Sequence, residues 1–200
     1  PVSFIELFDN ATDVIKMGGR RRGANMGILR VDHPDIFKFI ECKENGKITN
    51  FNLSVAATDE FMQAVLKNKN YELKFNGETY SKLKAADVFD AIVEQAWKTG
   101  DPGLIFIDEV NKKHGISDVI ESTNPCGEQP LLPYESCVLG SINLSKFVHN
   151  KKIKWDRLKE VVRIGVHFLD NVIDANHYSC KEIEEITFAN RKIGLGIMGF

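Results

Sequence analysis

Several features of secreted, membrane and nucleic-acid-binding proteins are missing from this sequence. No apolar run approaches the roughly 18 residues that a membrane-spanning helix needs, and the chain does not open on a basic segment followed by an apolar one, as a secretory signal does. Four cysteines in 200 residues are too few for a disulfide-stapled scaffold. The net charge of −2, from 26 Lys and Arg against 28 Asp and Glu, would not recruit nucleic acid or an anionic membrane. These absences predict a cytoplasmic protein with free thiols and leave only a local phosphate site open.

What the chain does contain is typical of a globular protein. With 43% hydrophobic and 27% charged residues, it is long enough for about one domain with a core. It begins at Pro1 without an initiator Met and stops inside the apolar run 193–200. We therefore expect residues 1–200 to form a single partial domain that is truncated at both ends.

Hydrophobic periodicity predicts helices alternating with strands. Ser3 and Glu6 form a capping-box pattern, which predicts a helix that begins there and continues to Gly18 and Gly19. A second helix is predicted to begin after Thr58 as its cap. The remaining predicted elements are helices over 85–97 and 155–175, strands over 25–31, 51–56, 104–107, 138–144 and 193–200, and a loop or hairpin over 67–81. Such alternation predicts an α/β fold with parallel strand pairing.

A long loop over 114–133 lacks periodicity, and loops of this kind frequently carry function. In a tight turn Asn124, Cys126 and Glu128 could converge on one ligand, offering an amide, a thiol and a carboxylate. Gly127 lets the backbone approach another surface, and the flanking prolines restrict the chain. The alternative is a proline-rich connector with an incidental buried cysteine.

The pattern Asn124-x-Cys126-x-Glu128 resembles the finger-loop signature of ribonucleotide reductases. Further segments resemble blocks of that family in the same order: 18–27 (GGRRRGANMG), 50–55 (NFNLSV), 139–144 (LGSINL) and 191–196 (RKIGLG). The resemblance covers nearly the whole chain. It implies part of a ten-stranded α/β barrel made of two five-stranded halves, with the finger loop threading its centre.

The resemblance also implies a role for each candidate residue. Cys126 would be the thiyl radical that abstracts the 3′ hydrogen of a ribonucleotide, because a thiol has a weak S–H bond. Glu128 would be the general base for the 3′ hydroxyl, and Asn124 would hold the ribose hydroxyls. Cys137 matches one of the two thiols that reduce the substrate, whose family partner lies upstream of Pro1.

The other two cysteines, Cys42 and Cys180, match no redox position of the family and are expected to be structural or surface thiols.

The short spacing between Cys126 and Cys137 resembles the adenosylcobalamin-dependent class II enzymes, although Val138 stands where these enzymes usually have Asn. The resemblance therefore implies adenosylcobalamin as the radical source. Its further implications are a ribonucleoside di- or triphosphate substrate, a thioredoxin-like or dithiol reductant, allosteric nucleotides and a homodimer. Two alternatives stay open: a class I large subunit with a metal-radical partner subunit, and a non-catalytic barrel remnant.

Four other signals favour ordinary structural roles. The G-x-G-x-x-G match at 194–199 is interpreted as close packing in a strand, because the sequence ends before the helix and acidic residue that define a dinucleotide site. The run 20–22 of three arginines favours a solvated turn or an internal ion-pair site over a phosphate site. Cysteine and histidine spacings fit no zinc motif, so no metal site is predicted. Asp108 and Glu109 are expected at the carboxyl end of a strand.

Overall fold

The chain divides into two units, Pro1–Leu132 and Pro133–Phe200, each described here by itself. The computed structural model describes residues 1–17, 19, 21–116 and 118–200. Of the sequence features above, the family block at 18–27 and the arginine run at 20–22 include Gly18 and Arg20, which lie outside the described residues. Within the described ranges, no helix has both the length and the apolar character to cross a membrane.

The first unit alternates helices with strands as the periodicity predicts. Its elements in chain order are α1 (Val2–Val14), β1 (Lys16–Met17), β2 (Arg21–Arg22), β3 (Asn25–Arg30), α2 (Ile36–Glu41), β4 (Phe51–Ala57), α3 (Asp59–Leu66), β5 (Asn70–Phe75), β6 (Glu78–Lys84), α4 (Ala85–Thr99), β7 (Gly103–Phe106), α5 (Ile107–Lys113), β8 (Ser122–Thr123) and β9 (Pro130–Leu131).

A three-stranded parallel sheet in the order β3-β4-β7 forms the centre of this unit. Asn25 lies opposite Phe51 at the start of β3 and β4, while Gly103 of β7 lies opposite Ser54. The central strand β4 is buried along its length except at Asn52, as expected for a parallel strand covered on both faces. Its apolar side chains share one core with those of α2, α3 and α4.

Helix ends in this unit test the capping predictions. Thr58 caps α3 as predicted, because its side chain accepts a hydrogen bond from the backbone N–H of Phe61 at 3.2 Å. The capping box at Ser3 and Glu6 is wrong: α1 begins at Val2 after Pro1, with no side-chain cap, so Ser3 lies within its first turn. The loop or hairpin expected at 67–81 is the antiparallel pair β5-β6.

The second unit is built on a pair of parallel strands. Its elements are β10 (Val138–Asn143), a 3₁₀ turn (Leu144–Phe147), β11 (Val148–His149), β12 (Lys152–Ile153), α6 (Trp155–Ala175), α7 (Lys181–Asn190) and β13 (Ile193–Met198). Strand β10 pairs with β13 from Val138 opposite Ile193 to Asn143 opposite Met198. Helix α6 packs on this pair and buries Leu169 and Ile173.

Arg191 joins α7 to β13 in a left-handed conformation, with φ of 44°. Its guanidinium donates to Asp170 at 2.8 Å and to Asp174 at 2.9 Å, both on α6. The guanidinium beside Asp170 lowers the pKa of that carboxyl. These bonds hold a backbone conformation that a non-glycine residue rarely adopts, and they direct the chain into β13.

The predicted α/β class and the parallel pairing are confirmed in both units. The G-x-G-x-x-G segment lies mostly within β13, where it was interpreted as strand packing. The sheets that the described residues form have two or three strands each, and none of them closes into a ten-stranded barrel.

Candidate functional site

The candidate residues Asn124, Cys126 and Glu128 lie in a single turn, 124–129, which we call the Cys126 turn. Strands β8 and β9 pair on either side of it, with Thr123 opposite Pro130. The backbone N–H of Asn124 donates to the carbonyl of Gln129 at 3.2 Å. The three candidate residues therefore share one closed turn between two paired strands.

The side chain of Asn124 closes the Cys126 turn from within. Its Oδ1 accepts a hydrogen bond from the backbone N–H of Gln129 at 3.0 Å, and its carbonyl accepts from the N–H of Gly127, also at 3.0 Å. The Oδ1 atom is therefore used within the turn, and the Nδ2 group is the donor of this side chain. Such a donor suits a hydroxyl oxygen of a ligand.

Three consecutive residues of the turn, Cys126, Gly127 and Glu128, are exposed. Gly127 has φ of 79°, a conformation that glycine adopts without strain, and its Cα faces open space. The thiol of Cys126 and the carboxylate of Glu128 are thus accessible within this unit. The burial of the cysteine that the alternative interpretation assumed is therefore wrong, because Cys126 is exposed.

A side chain from the central strand contacts the Cys126 turn. Asn52, the one exposed residue of β4, donates through Nδ2 to the carbonyl oxygen of Pro125 at 2.5 Å. The contact fixes the peptide that immediately precedes Cys126. Asn52 lies within the segment 50–55 that resembles a family block, but its sequence pattern indicates no role for it.

A partly buried ion pair supports the start of β4 next to Asn52. The Nζ of Lys43 lies 2.5 Å from Oδ2 of Asp101 and also donates to the carbonyl of Phe51. The other carboxylate oxygen of Asp101 accepts from the backbone N–H of Leu53 at 3.1 Å. The residues on both sides of Asn52 are therefore held by hydrogen bonds from outside the sheet ladder.

Cys137 belongs to the second unit, where it directly precedes β10. It is partly buried, and its Sγ lies 3.7 Å from the carbonyl oxygen of Val138 as a weak donor. Val138, which departs from the usual Asn of class II enzymes, is the first residue of β10.

The remaining cysteines, Cys42 and Cys180, are free thiols in partly buried positions. Cys42 follows α2 and packs against the core of the first unit. Burial raises the pKa of the Cys42 thiol to about 11. Cys180 immediately precedes α7.

The raised pKa predicts that Cys42 resists alkylation. At pH 8 a thiol with a pKa of about 11 is ionised in about one molecule in a thousand. We expect iodoacetamide at pH 8 to modify the exposed Cys126 at least about tenfold faster than Cys42, as measured by peptide mass spectrometry. Equal modification rates in the folded protein would contradict the burial of Cys42.

A cavity of about 790 Å³ lies near the carboxyl ends of β3 and β4 in the first unit. Asn52, which contacts the Cys126 turn, is four residues from the cavity-lining Ala56 along β4, or about 13 Å. The described lining residues do not include Asn124, Cys126 or Glu128. The cavity is therefore a separate feature from the candidate site.

Polar groups around the cavity pair largely with the protein itself. Arg30 holds Asp32 through two hydrogen bonds at 3.1 and 2.8 Å, and Asp108 accepts from the backbone N–H of Asp59 at 2.8 Å. Asp108 and Glu109 follow β7, as expected, but they form the first turn of α5. Among the residues that the structure describes, no group of three or more His, Cys, Asp or Glu side chains is arranged to hold a metal ion.

Comparison with known proteins covers the whole chain. The family model described as "Ribonucleotide reductase, barrel domain" matches residues 1–200. The chain is 57% identical over 208 residues to a vitamin B12-dependent ribonucleoside-diphosphate reductase of Thermoplasma acidophilum, and 49% identical over 205 residues to one of Mycobacterium tuberculosis. It is 30% identical over 242 residues to the ribonucleoside-diphosphate reductase subunit alpha of Chlamydia muridarum.

These matches include all of this chain but only part of each relative. The chain spans 27% of the Thermoplasma protein, 30% of the Mycobacterium protein and 23% of the Chlamydia protein.

Proposed function

The chain belongs to the ribonucleotide reductase barrel-domain family, and on this basis we propose that the whole protein reduces ribonucleotides to 2′-deoxyribonucleotides with adenosylcobalamin as its radical source. The observation that carries the proposal is the Cys126 turn, in which an amide, an exposed thiol and an exposed carboxylate lie within five residues. The names of the relatives that are 57% and 49% identical favour vitamin B12 dependence and a diphosphate substrate.

Cys126 is proposed to abstract the 3′ hydrogen atom of the ribose as a thiyl radical. The reaction requires a thiol, because the weak S–H bond allows the hydrogen atom to be taken and later returned. The Asn52 contact to Pro125 and the bonds within the turn limit the positions that the sulfur can occupy. Such positioning contributes to rate by holding the reacting atoms in a productive geometry.

Glu128 and Asn124 are proposed to act on the ribose hydroxyls. The exposed carboxylate of Glu128 would accept the proton of the 3′ hydroxyl as a general base. The Nδ2 group of Asn124 would donate a hydrogen bond to a hydroxyl oxygen, while its Oδ1 keeps the turn closed.

Cys137 is proposed as one of two thiols that reduce the substrate after its 2′ hydroxyl leaves as water. The two thiols supply two electrons and two protons and become a disulfide. The other thiol is a second cysteine of the whole protein, and an external dithiol or thioredoxin-like reductant then restores both thiols.

The Cys126 turn fits adenosylcobalamin on grounds of access. A large cofactor must reach the thiol, and Cys126 is exposed beside Gly127, around whose Cα there is open space. When bound, the cofactor supplies an organic radical through homolysis of its carbon–cobalt bond. The role of Cys126 is to present its sulfur on that open side.

We further propose that the parallel sheets of the two units belong to a ten-stranded α/β barrel in which the Cys126 turn is the tip of the finger loop. The described parallel pairs β3-β4-β7 and β10-β13 support this assignment. A homodimer and allosteric nucleotide sites are proposed for the whole protein on the family resemblance alone.

The test is deoxynucleotide formation by the whole protein with a ribonucleoside diphosphate and a dithiol, with and without adenosylcobalamin. Product that forms only with the cofactor would support the proposal. Product that needs a metal-radical partner protein instead would indicate a class I large subunit. No product under either condition would indicate a non-catalytic remnant.

Asn52 offers a prediction about the positioning of Cys126. In Asn52→Ala the Pro125 carbonyl loses its side-chain donor, so we expect turnover to fall on the order of tenfold to a hundredfold with little change in stability. Turnover assays and thermal unfolding of the whole protein measure the two effects. Asn70→Ala, at an exposed asparagine of β5, is the control. Equal turnover in the two variants would show that Asn52 does not position the turn.

A further inference from the structure

A buried carboxylate lies two residues before Cys137 in the chain and forms an ion pair with a partly buried lysine. The side chain of Glu135 has no solvent exposure, and its Oε2 lies 2.6 Å from Nζ of Lys192. Its Oε1 accepts a hydrogen bond from Nδ2 of Asn190 at 2.8 Å. Both carboxylate oxygens are therefore engaged by residues near the junction of α7 and β13.

Hydrogen bonds also hold the residues on either side of Cys137. The hydroxyls of Ser136 and Thr187 lie 2.8 Å apart, and Thr187 is buried within α7. The backbone N–H of Val138 donates to the carbonyl of Lys192 at 3.3 Å. We call Glu135, Ser136, Thr187, Asn190 and Lys192 the Cys137 clamp.

Stability alone is a weak reason for this arrangement. A buried carboxylate and ammonium lose their hydration, and well-packed apolar residues often serve stability equally well at such positions. A satisfied polar cluster does, however, allow far fewer side-chain and backbone arrangements than an apolar contact. Here the arrangement that it fixes is the backbone around a single thiol.

A fixed backbone around a thiol is useful when that thiol forms a disulfide, because a disulfide requires a specific geometry. A disulfide requires an S–S distance of about 2.05 Å and β-carbons about 3.5–4.5 Å apart. A thiol that forms and loses this bond in every cycle must return to one position relative to its partner. A more mobile backbone around the thiol would lower the fraction of molecules in which the two sulfurs are positioned to reduce the substrate.

We propose that the Cys137 clamp positions the Cys137 thiol for reduction of the substrate, with Glu135 and Lys192 as its main positioning residues. The inference rests on the proposed function. In the step concerned, Cys137 and a second cysteine thiol of the whole protein give two electrons and two protons to the substrate. The 2′ hydroxyl leaves as water, and the two sulfurs join as a disulfide. The clamp residues take no part in the bonds that change.

The test compares variants of the whole protein that loosen the clamp by different routes. Glu135→Gln keeps an acceptor for Asn190 but removes the charge, and Lys192→Met removes the ammonium from the same pair. Thr187→Val removes only the hydroxyl that meets Ser136. The control is Glu185→Gln, which breaks the exposed pair between Lys181 and Glu185 on the same α7.

Two measured yields separate the abstraction step from the reduction step. The first is cofactor-dependent loss of tritium from the 3′ position of the substrate, and the second is the ratio of deoxynucleotide to released base. We expect clamp variants to lose at least as much 3′ tritium as the wild type, because a hydrogen atom that is not returned to the product exchanges with water from the Cys126 thiol, while the product ratio falls on the order of tenfold. Glu185→Gln should match the wild type in both yields.

Three results would overturn the inference. The first is a product ratio that stays at the wild-type value in every clamp variant, and the second is a product ratio that falls equally in Glu185→Gln. The third is a parallel fall in tritium loss and product that matches a loss of folded protein in thermal unfolding, which would indicate a purely structural role.

A separate readout covers failure of the proposed function itself. If wild type shows neither tritium loss nor product, the rate of alkylation of Cys137 still reports on its position. In that case a rate altered more than about threefold in Glu135→Gln and Lys192→Met, but not in Glu185→Gln, would support the clamp. An unchanged rate would overturn it.

Discussion

Replacement of Cys126 by serine in the whole protein is expected to abolish deoxynucleotide formation. The serine hydroxyl is nearly isosteric and keeps the turn, but its O–H bond is far stronger than S–H, so hydrogen abstraction by an oxygen-centred radical is not accessible under the same conditions. We expect turnover to fall by more than about 10³-fold, which corresponds to a loss of about 4 kcal/mol of transition-state stabilisation. Product formation and loss of 3′ tritium, measured on the same samples, should both disappear.

The matched control for this substitution is Cys180→Ser. Cys180 is a free thiol directly before α7, at the N-cap position, where serine is a favoured residue. This variant should keep wild-type turnover and fold at least as stably. Residual activity of Cys126→Ser at a tenth or more of the wild-type rate would show that Cys126 does not carry the radical.

Replacement of Cys137 by serine is expected to separate abstraction from reduction. Because Cys126 and its turn are unchanged, loss of 3′ tritium should continue. The intermediate that remains after departure of the 2′ hydroxyl then lacks one of its two reducing thiols. We therefore expect the substrate to break down with release of the free base, and deoxynucleotide yield to fall by more than about 10²-fold.

Chromatography of nucleotide and base products measures this partition directly, with Cys180→Ser again as the control. An equal and partial loss of both yields in Cys137→Ser would assign Cys137 to packing. Clean deoxynucleotide formation by this variant would place the reducing thiols elsewhere in the protein.

The elements that could be predicted from the sequence are those with a strong local pattern. The buried strand β4 and the long helix α6 lie where their apolar residues predicted them, and Thr58 begins α3 as expected. Parallel pairing followed from the alternation of these elements. The capping box at Ser3 failed because Pro1 takes the N-cap position and the helix begins at Val2, two residues before a cap at Ser3 would begin it.

Elements with little pattern were not predicted. Helix α2 has six residues, fewer than two full turns, which is too short for a repeating apolar face to be recognised. Helix α7 buries only Thr187 fully, so its sequence lacks the apolar stripe by which α6 was recognised.

In the candidate site too, residues that are close in the sequence could be predicted, and contacts between distant residues could not. Asn124, Cys126 and Glu128 could be predicted because the residues that act together lie within one turn. Asn52 is 73 residues from Pro125, and Glu135 is 57 residues from Lys192. Contacts across such separations depend on the tertiary fold, and no local spacing in the sequence indicates them.

The parallel pairing of β10 with β13 has a consequence for synthesis of the protein. Val138 and Ile193 pair across 55 positions (193 − 138), so β10 cannot pair with β13 until α6 and α7 have been made. At a translation rate of about 5–20 residues per second, this interval lasts roughly 3–11 s. During it the strand that follows Cys137 lacks this pairing, so the thiol is not yet in the partly buried position that it has in the finished unit. We therefore expect reducing conditions during synthesis to raise the yield of protein with a reduced Cys137.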